Sequence, residues 1–304
     1  MAAELFPVSE LEKASPLFRG RCGNAIARGL LNAFEITAVQ RLYDGAECGN
    51  GPDTAAGLVK GLDLKYTVSG LQELENLPEG PFITISNHPI GSLDGVILVD
   101  LMGHLFPDYK LLVNQFLMRI EGLRPSFISV IPTLEERTAA KAESINGIRI
   151  AWQHLKDGHP LGLFPSGAVS DLIFGRRPEV TVPPATGYSP AGCYTDADGL
   201  LRYREPRVRD RQWQMPIVKF IRKAAVPVVP IRFFDGNSPL FYWLGAMHGW
   251  KLRVTRLPHE VMNKRGKTIR MGIGPIITAQ QQLACATLED LRTLLRASVY
   301  AQQP

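Results

Sequence analysis

His88 and Asp94 are the residues whose types and spacing best suit chemistry: an imidazole and a carboxylate six positions apart. Imidazole takes and returns a proton near neutral pH. A carboxylate that accepts from one ring nitrogen fixes the tautomer and orientation, and it stabilises the imidazolium that forms. No Gly-x-Ser-x-Gly elbow lies nearby, so the hydroxyl or amine being activated would belong to a substrate. A structural account stays open beside this one, in which Asn87-His88-Pro89 is a turn and Asp94 caps the next helix.

The flanking residues say where this pair sits. Phe82-Ile83-Thr84-Ile85-Ser86 is apolar and β-branched, which reads as a buried strand, and Val96 to Met102 reads as a helix. A strand that ends in His and Asp at the mouth of a helix places both at the carboxyl edge of a sheet, where open α/β folds bind ligands. Further strands are expected over Asp63–Gly70, Tyr109–Val113, Ile128–Ile131, Pro160–Phe164, Val226–Phe233 and Met271–Ile277. Helices are expected over Ala25–Tyr43, Phe116–Ile120, Glu135–Asp157, Ile217–Ala225 and Leu288–Tyr300. The alternation predicts an α/β fold with a central, mostly parallel or mixed sheet flanked by helices. Residues 1–23 read as an N-terminal arm and 24–304 as a single α/β domain. Within it 175–199, rich in Pro, Gly and Thr, reads as an inserted loop, either a lid or a surface feature.

A second candidate site is Phe164-Pro165-Ser166-Gly167, which follows the expected strand at 160–164. Proline and glycine at a strand end let backbone N–H groups approach an anion, and the hydroxyls of Ser166 and Ser170 would add donors. A simple strand-exit turn accounts for the same residues. Candidate cations for a phosphate or carboxylate are Arg137, Lys141, Arg149 and the five arginines of Arg202–Arg211, a run that equally suits a solvated face or a membrane or carrier-protein patch. Phe241-Tyr242-Trp243-Leu244, beside Met247 and Trp250, suits an acyl chain, a bilayer interface or core filling.

Asn87-His88-Pro89-Ile90-Gly91-Ser92-Leu93-Asp94-Gly95 resembles the first motif of the glycerolipid (lysophospholipid) acyltransferase superfamily, whose common form is Asn-His-x4-Asp. The five residues between His88 and Asp94 are similar to a bacterial branch labelled "putative hemolysin", which includes aminolipid acyltransferases. Phe164-Pro165-Ser166-Gly167, Val226-Pro227-Val228-Val229-Pro230 and Asn263-Lys264-Arg265-Gly266-Lys267 follow in the matching order, so the resemblance covers about Phe34 to Pro275. It implies a glycerol-3-phosphate acyltransferase-like fold with His88 as general base and Asp94 orienting it. It also implies that Asn87, Gly91, Ser92, Phe164, Pro165, Ser166, Gly167, Ser170 and Arg137 hold the substrate. The superfamily's glutamate before the glycine is Ser166 here, and where relatives with Phe-Pro-Ser-Gly carry glutamate next this chain has Ala168. The acceptor's polar groups would then be held differently, with Asp171 a candidate replacement.

Size and charge bound the rest. The chain has 304 residues, 45% of them hydrophobic, enough for a substantial α/β core. A net charge of +5 suits anionic partners: a membrane surface, an acyl carrier protein, coenzyme A or a phosphate-bearing acceptor. No nucleic-acid motif is present. Cys22, Cys48, Cys193 and Cys285 are scattered, without metal-ligand spacing, and read as reduced thiols. No apolar run reaches the ~20 residues of a membrane span, and no basic segment followed by an apolar core suggests a signal peptide. The expectation is an acyltransferase in the cytoplasm, peripheral to the inner face of the cell membrane. It would move an acyl group from an acyl-carrier-protein or coenzyme A thioester to a hydroxyl of a lysophospholipid-type acceptor, with no metal or bound cofactor. The alternatives are an N-acyltransferase making an aminolipid, or a non-catalytic lipid- or carrier-binding homologue.

Overall fold

The structure is a computed structural model that describes residues 19–46, 49–130, 138–183, 188–190, 192–248, 253 and 255–304; at 21, 138–145 and 248 it describes the backbone alone. Among the described residues three helices come first: α1 (Gly20–Ala33), α2 (Ile36–Gly45) and α3 (Gly51–Gly61). Next come β1 (Lys65–Ser69), β2 (Ile83–Ser86), α4 (Ser92–Leu105), β3 (Lys110–Asn114), β4 (Phe127–Val130), α5 (Thr138–Lys156) and β5 (Leu161–Leu163). Short strands β6 (Asp171–Leu172), β7 (Glu179–Thr181), β8 (Tyr194–Thr195), β9 (Leu201–Arg204) and β10 (Val208–Arg209) precede α6 (Met215–Ala224) and β11 (Val228–Phe233). The chain closes with α7 (Pro239–His248), α8 (Leu257–Met262), β12 (Thr268–Ile273), α9 (Ala279–Ala284) and α10 (Leu288–Tyr300).

Seven strands form the central sheet in the order β1-β12-β11-β2-β5-β3-β4. Every neighbouring pair is parallel except β11 and β12, so the sheet is mixed, as the alternation of elements predicts. Strand β2 is buried throughout, between β11 and β5. That explains its β-branched composition, since a strand covered on both faces has no solvent side to make polar. Because β2 and β5 run parallel, the residues after each emerge at the same edge. His88 and the 164–167 loop thereby become neighbours.

Side-chain alternation divides the core into two layers. Ile83, Ile85, Leu161 and Leu163 face a layer with Val218, Ile221, Leu291 and Leu294 from α6 and α10. Phe82, Val229 and Ile231 face the other layer, with Ile97, Leu98 and Met102 of α4 and Leu58 of α3. Burying each aliphatic side chain of this kind contributes roughly 1.5–3 kcal/mol.

Two expectations are corrected, and the 175–199 segment gains detail. The helix expected over 25–43 is two helices, broken at Glu35, which lies in the left-handed region (φ 59°). The last strand ends at Ile273 rather than Ile277, because Gly274 and Pro275 leave the ladder and Ile277 makes an isolated bridge to Val228. The 175–199 segment holds β7 and β8, paired antiparallel on either side of β9, and its Tyr188 hydroxyl donates to Pro275 O at 2.8 Å. The expected helix start at 135 lies outside the described residues.

Candidate active site

His88 Nδ1 lies 3.1 Å from Asp94 Oδ2, although that line is off the axis a ring N–H would take. Asp94 is fully buried in the first turn of α4, where the helix dipole favours a carboxylate. The same Oδ2 accepts from the backbone N–H of Ile90 at 2.9 Å and of Gly91 at 3.0 Å. Gly91 has φ +101°, and a Cβ there would come within 3.1 Å of Leu257 Cδ2, so this sharp entry into α4 requires glycine. On its other side the imidazole meets the Phe164 ring, with centroids 4.1 Å apart and planes 30° from parallel. A carboxylate on one side and a phenyl ring on the other restrict the ring, while its side chain keeps 18% exposure for a solute to reach.

The loop carrying the imidazole is held at each residue. The His88 N–H donates to Asp210 Oδ1 at 3.2 Å, and its carbonyl accepts from Ser170 N at 2.8 Å. Pro89 O accepts from the Tyr242 hydroxyl at 2.9 Å and Ile90 O from Asn237 Nδ2 at 3.0 Å. Asp210 is buried and also accepts from Ser170 Oγ at 2.6 Å and Trp213 Nε1 at 2.9 Å. Burial pushes its carboxyl pKa above the usual range, while these hydrogen bonds pull the other way. Sequence reasoning missed Asp210 because it sits inside the arginine run. The one available signal was a carboxylate three residues before a tryptophan, in a segment where arginines outnumber acids.

A cavity of about 220 Å³ opens beside His88. Its wall includes Val96, Leu111, Val113, Leu117, Ile120, Leu123, Phe127, Ile148 and Ile217, with Gly95 leaving room on the α4 side. The polar side chains on that wall, among the described residues, are His88, Ser92, Asn114 and Gln214. A greasy recess with an imidazole at one end accommodates an aliphatic chain whose reactive group stays beside the base.

A family model described as "Acyltransferase" matches residues 55–188, which include both the His88–Asp94 pair and the 164–167 loop. The chain is 27% identical over 237 residues to the lyso-glycine lipid O-acyltransferases of Phocaeicola vulgatus and of Bacteroides thetaiotaomicron. Each match covers 76% of this chain, and 70% and 72% of the respective relatives. These matches identify the chain as an acyltransferase. The crystal structure of the 1-acyl-sn-glycerophosphate (LPA) acyltransferase PlsC from Thermotoga maritima is also similar, at 14% identity and a TM-score of 0.44, covering 89% of this chain and 92% of that one.

In this acyltransferase His88, Gly91, Ser92, Phe164 and Gly167 share the cavity wall. Other expected substrate contacts are used internally. Both ends of the Asn87 amide bond the backbone of Phe233, Nδ2 to O at 2.9 Å and Oδ1 from N at 2.7 Å, so it ties the loop to β11 instead. The Ser170 hydroxyl is turned inward to Asp210. Ser166 is buried, with its hydroxyl donating to Ala168 O at 2.6 Å, and Pro165 is buried beside it. The N–H of Gly91 donates to Asp94 and that of Gly167 to Phe164 O.

The acyltransferase's charged candidates are placed as follows. Asp171 is not a stand-in for the missing glutamate, because Arg253 and Arg211 hold its carboxylate. Within the arginine run Arg202 pairs with Asp196, Arg204 with Glu179 and Arg209 with Glu205. Four of the five arginines, Arg211 included, are thus neutralised within the fold. Arg149 donates to Asn146 on its own helix at 3.1 Å. Arg137, the side chain of Lys141 and Trp250 lie outside the described residues.

Proposed function

We propose that this acyltransferase moves a fatty acyl group from a thioester, carried on acyl carrier protein or coenzyme A, to the hydroxyl of a lysolipid acceptor at a bilayer surface. What supports the reading is His88, backed by the buried Asp94 at 3.1 Å, at the mouth of an apolar cavity. The acceptor O–H proton passes to the free ring nitrogen as its oxygen attacks the thioester carbonyl. Asp94 stabilises the imidazolium that results. The carbonyl oxygen of the tetrahedral adduct faces the first turn of α4, where Ser92 lines the cavity and the helix N-terminus favours negative charge. Collapse of the adduct breaks the C–S bond, and the imidazolium proton goes to the departing thiolate. The acyl chain occupies the cavity, and backing from Phe164 keeps the ring aimed at it.

No described helix is long and apolar enough to cross a membrane, which fits an enzyme that meets lipid from the side. The two relatives are named as O-acyltransferases of a lyso-glycine lipid, which favours ester over amide formation as the reading for this chain. Lipid mass spectrometry of cells expressing the wild type and His88→Ala tests it. A new ester that disappears with His88→Ala supports the reading. A new amide, or an ester that persists in the variant, sinks it.

A further inference from the structure

Two exposed apolar features, far apart in sequence, adjoin in the fold. The turn after β6 reads Ile173-Phe174-Gly175-Arg176-Arg177, with Ile173 37% and Phe174 68% exposed and Gly175 at φ +98°. Helix α7 is split by face. Phe241 and Tyr242 are buried, whereas Leu240, Trp243 and Met247, spaced at helical intervals, are 45%, 48% and 63% exposed. Helix α7 packs against β6, and Arg253 cements the contact: it lies beside Gly245, over the Phe241 ring, and bonds Val169 O and Ser170 O. Large apolar side chains exposed on two packed elements mark an interaction site.

We propose that Ile173 and Phe174, together with Leu240, Trp243 and Met247, dock this enzyme on an anionic lipid bilayer. This rests on the reading of an acyltransferase that meets lipid at a bilayer surface. Charge identifies the occupant. Arg176, Arg177 and Arg207 are exposed around the turn, the Ile173 N–H donates to Arg207 O at 2.9 Å, and the turn itself contains no acid. The nearby carboxylates are already taken, Asp171 by Arg253 and Arg211 and Glu205 by Arg209 and Arg296. An aromatic tip with a basic collar suits headgroup phosphates above and acyl tails below, and tryptophan at the rim suits the interface between them. The surface is joined to the chemistry. Tyr242, on the buried side of α7, donates to Pro89 O, and Ser170, four residues before Phe174, bonds the His88 carbonyl.

The test is co-sedimentation of the full chain with phosphatidylglycerol–phosphatidylcholine vesicles and with pure phosphatidylcholine vesicles, across a salt series. Wild type is expected to prefer the anionic vesicles, less so as salt rises. The double variant Phe174→Ser/Trp243→Ser is expected to lose at least about tenfold in partitioning, from the apolar area withdrawn. Arg176→Glu/Arg207→Glu is expected to lose the preference for anionic lipid. Both variants should keep the wild-type melting temperature and the wild-type rate on a short-chain lysolipid dissolved as monomer. Unchanged partitioning of the double variant overturns the surface. So does a wild type that acylates the dissolved acceptor but ignores vesicles, a result that leaves the acyl-transfer reading standing. A concentration-dependent dimer in gel filtration that the double variant abolishes, without a vesicle effect, overturns it in favour of a second copy of the chain. Failure of the acyl-transfer reading shows separately, as no transfer to any acceptor by a wild type that still binds vesicles.

Discussion

Asp210 accepts a hydrogen bond at 3.2 Å from the backbone N–H of His88, a residue 122 positions earlier. The imidazole therefore has two carboxylates of different duty. Asp94 addresses the ring, and Asp210 anchors the backbone beneath it while gathering Ser170 and Trp213 around the same buried group.

Replacing Asp210 by Asn should lower kcat about 10–100-fold with KM little changed, since small misplacements of a catalytic group cost rate. The amide nitrogen must face a donor, either Trp213 Nε1 or the His88 N–H, and a buried donor left unpaired costs roughly 1–3 kcal/mol of stability. Steady-state kinetics beside a melting curve separates the effects. A proportional rise in KM alone would argue against a positioning role.

His88→Ala should reduce acyl transfer by about 10²–10⁴-fold, the usual span of general-base assistance. Asp94→Asn should reduce kcat less, because an amide oxygen can still accept from Ile90 and Gly91 while no longer compensating an imidazolium. The comparison is made by single-turnover thioester consumption. Equal loss of melting temperature and rate in both would assign Asp94 to capping alone.

Gly95→Val should shift donor preference toward shorter acyl chains. A Cβ at this position already lies 3.1 Å from Leu111 Cδ2, so the added methyl groups project into the cavity that Gly95 lines. Rates measured across a series of donor chain lengths would read the shift, and an unaltered profile would place the acyl chain elsewhere.

Gly162→Ala should destabilise the fold by about 1–3 kcal/mol through overpacking. Its Cβ would sit 2.0 Å from the Tyr109 hydroxyl, which is buried and bonded to Thr84 Oγ1 at 2.8 Å across the central strands. Denaturant unfolding measures this. Adding Tyr109→Phe should recover part of the loss, at the expense of an unpaired Thr84 hydroxyl.

His154 gives a pH dependence whose sign follows from its surroundings. Burial holds its pKa below the ordinary imidazole value, with Lys110 and His159 acting the same way and the bond to Pro160 O opposing. A depressed folded-state pKa means the native state prefers the neutral ring. The contribution to stability is present above the ordinary value near 6.5 and is lost as pH falls toward and through the depressed one. Melting temperature should drop between pH 7 and 5 more for the wild type than for His154→Gln, and parallel curves would refute the assignment.

The strand at 83–86, the helix after Gly91 and an α/β architecture were legible in the sequence, as was His88 and Asp94 being close enough along the chain to meet. These are local matters: β-branched runs, glycine at a forced turn and a carboxylate in a first helical turn carry their meaning within a dozen residues. What lies across the sheet was decided by tertiary structure alone. Asn87 and Ser170 look like ligand groups in sequence, yet long-range partners, Phe233 and Asp210, claim their polar atoms. The arginine run reads as free charge until folding brings Asp171, Glu179, Asp196 and Glu205 to it. Likewise Phe241 and Trp243 are equally apolar in the sequence, and only the packing of α7 buries one and exposes the other. A hydrogen-bond partner or a covered face is a property of the whole chain's path, and no spacing rule within one segment encodes it.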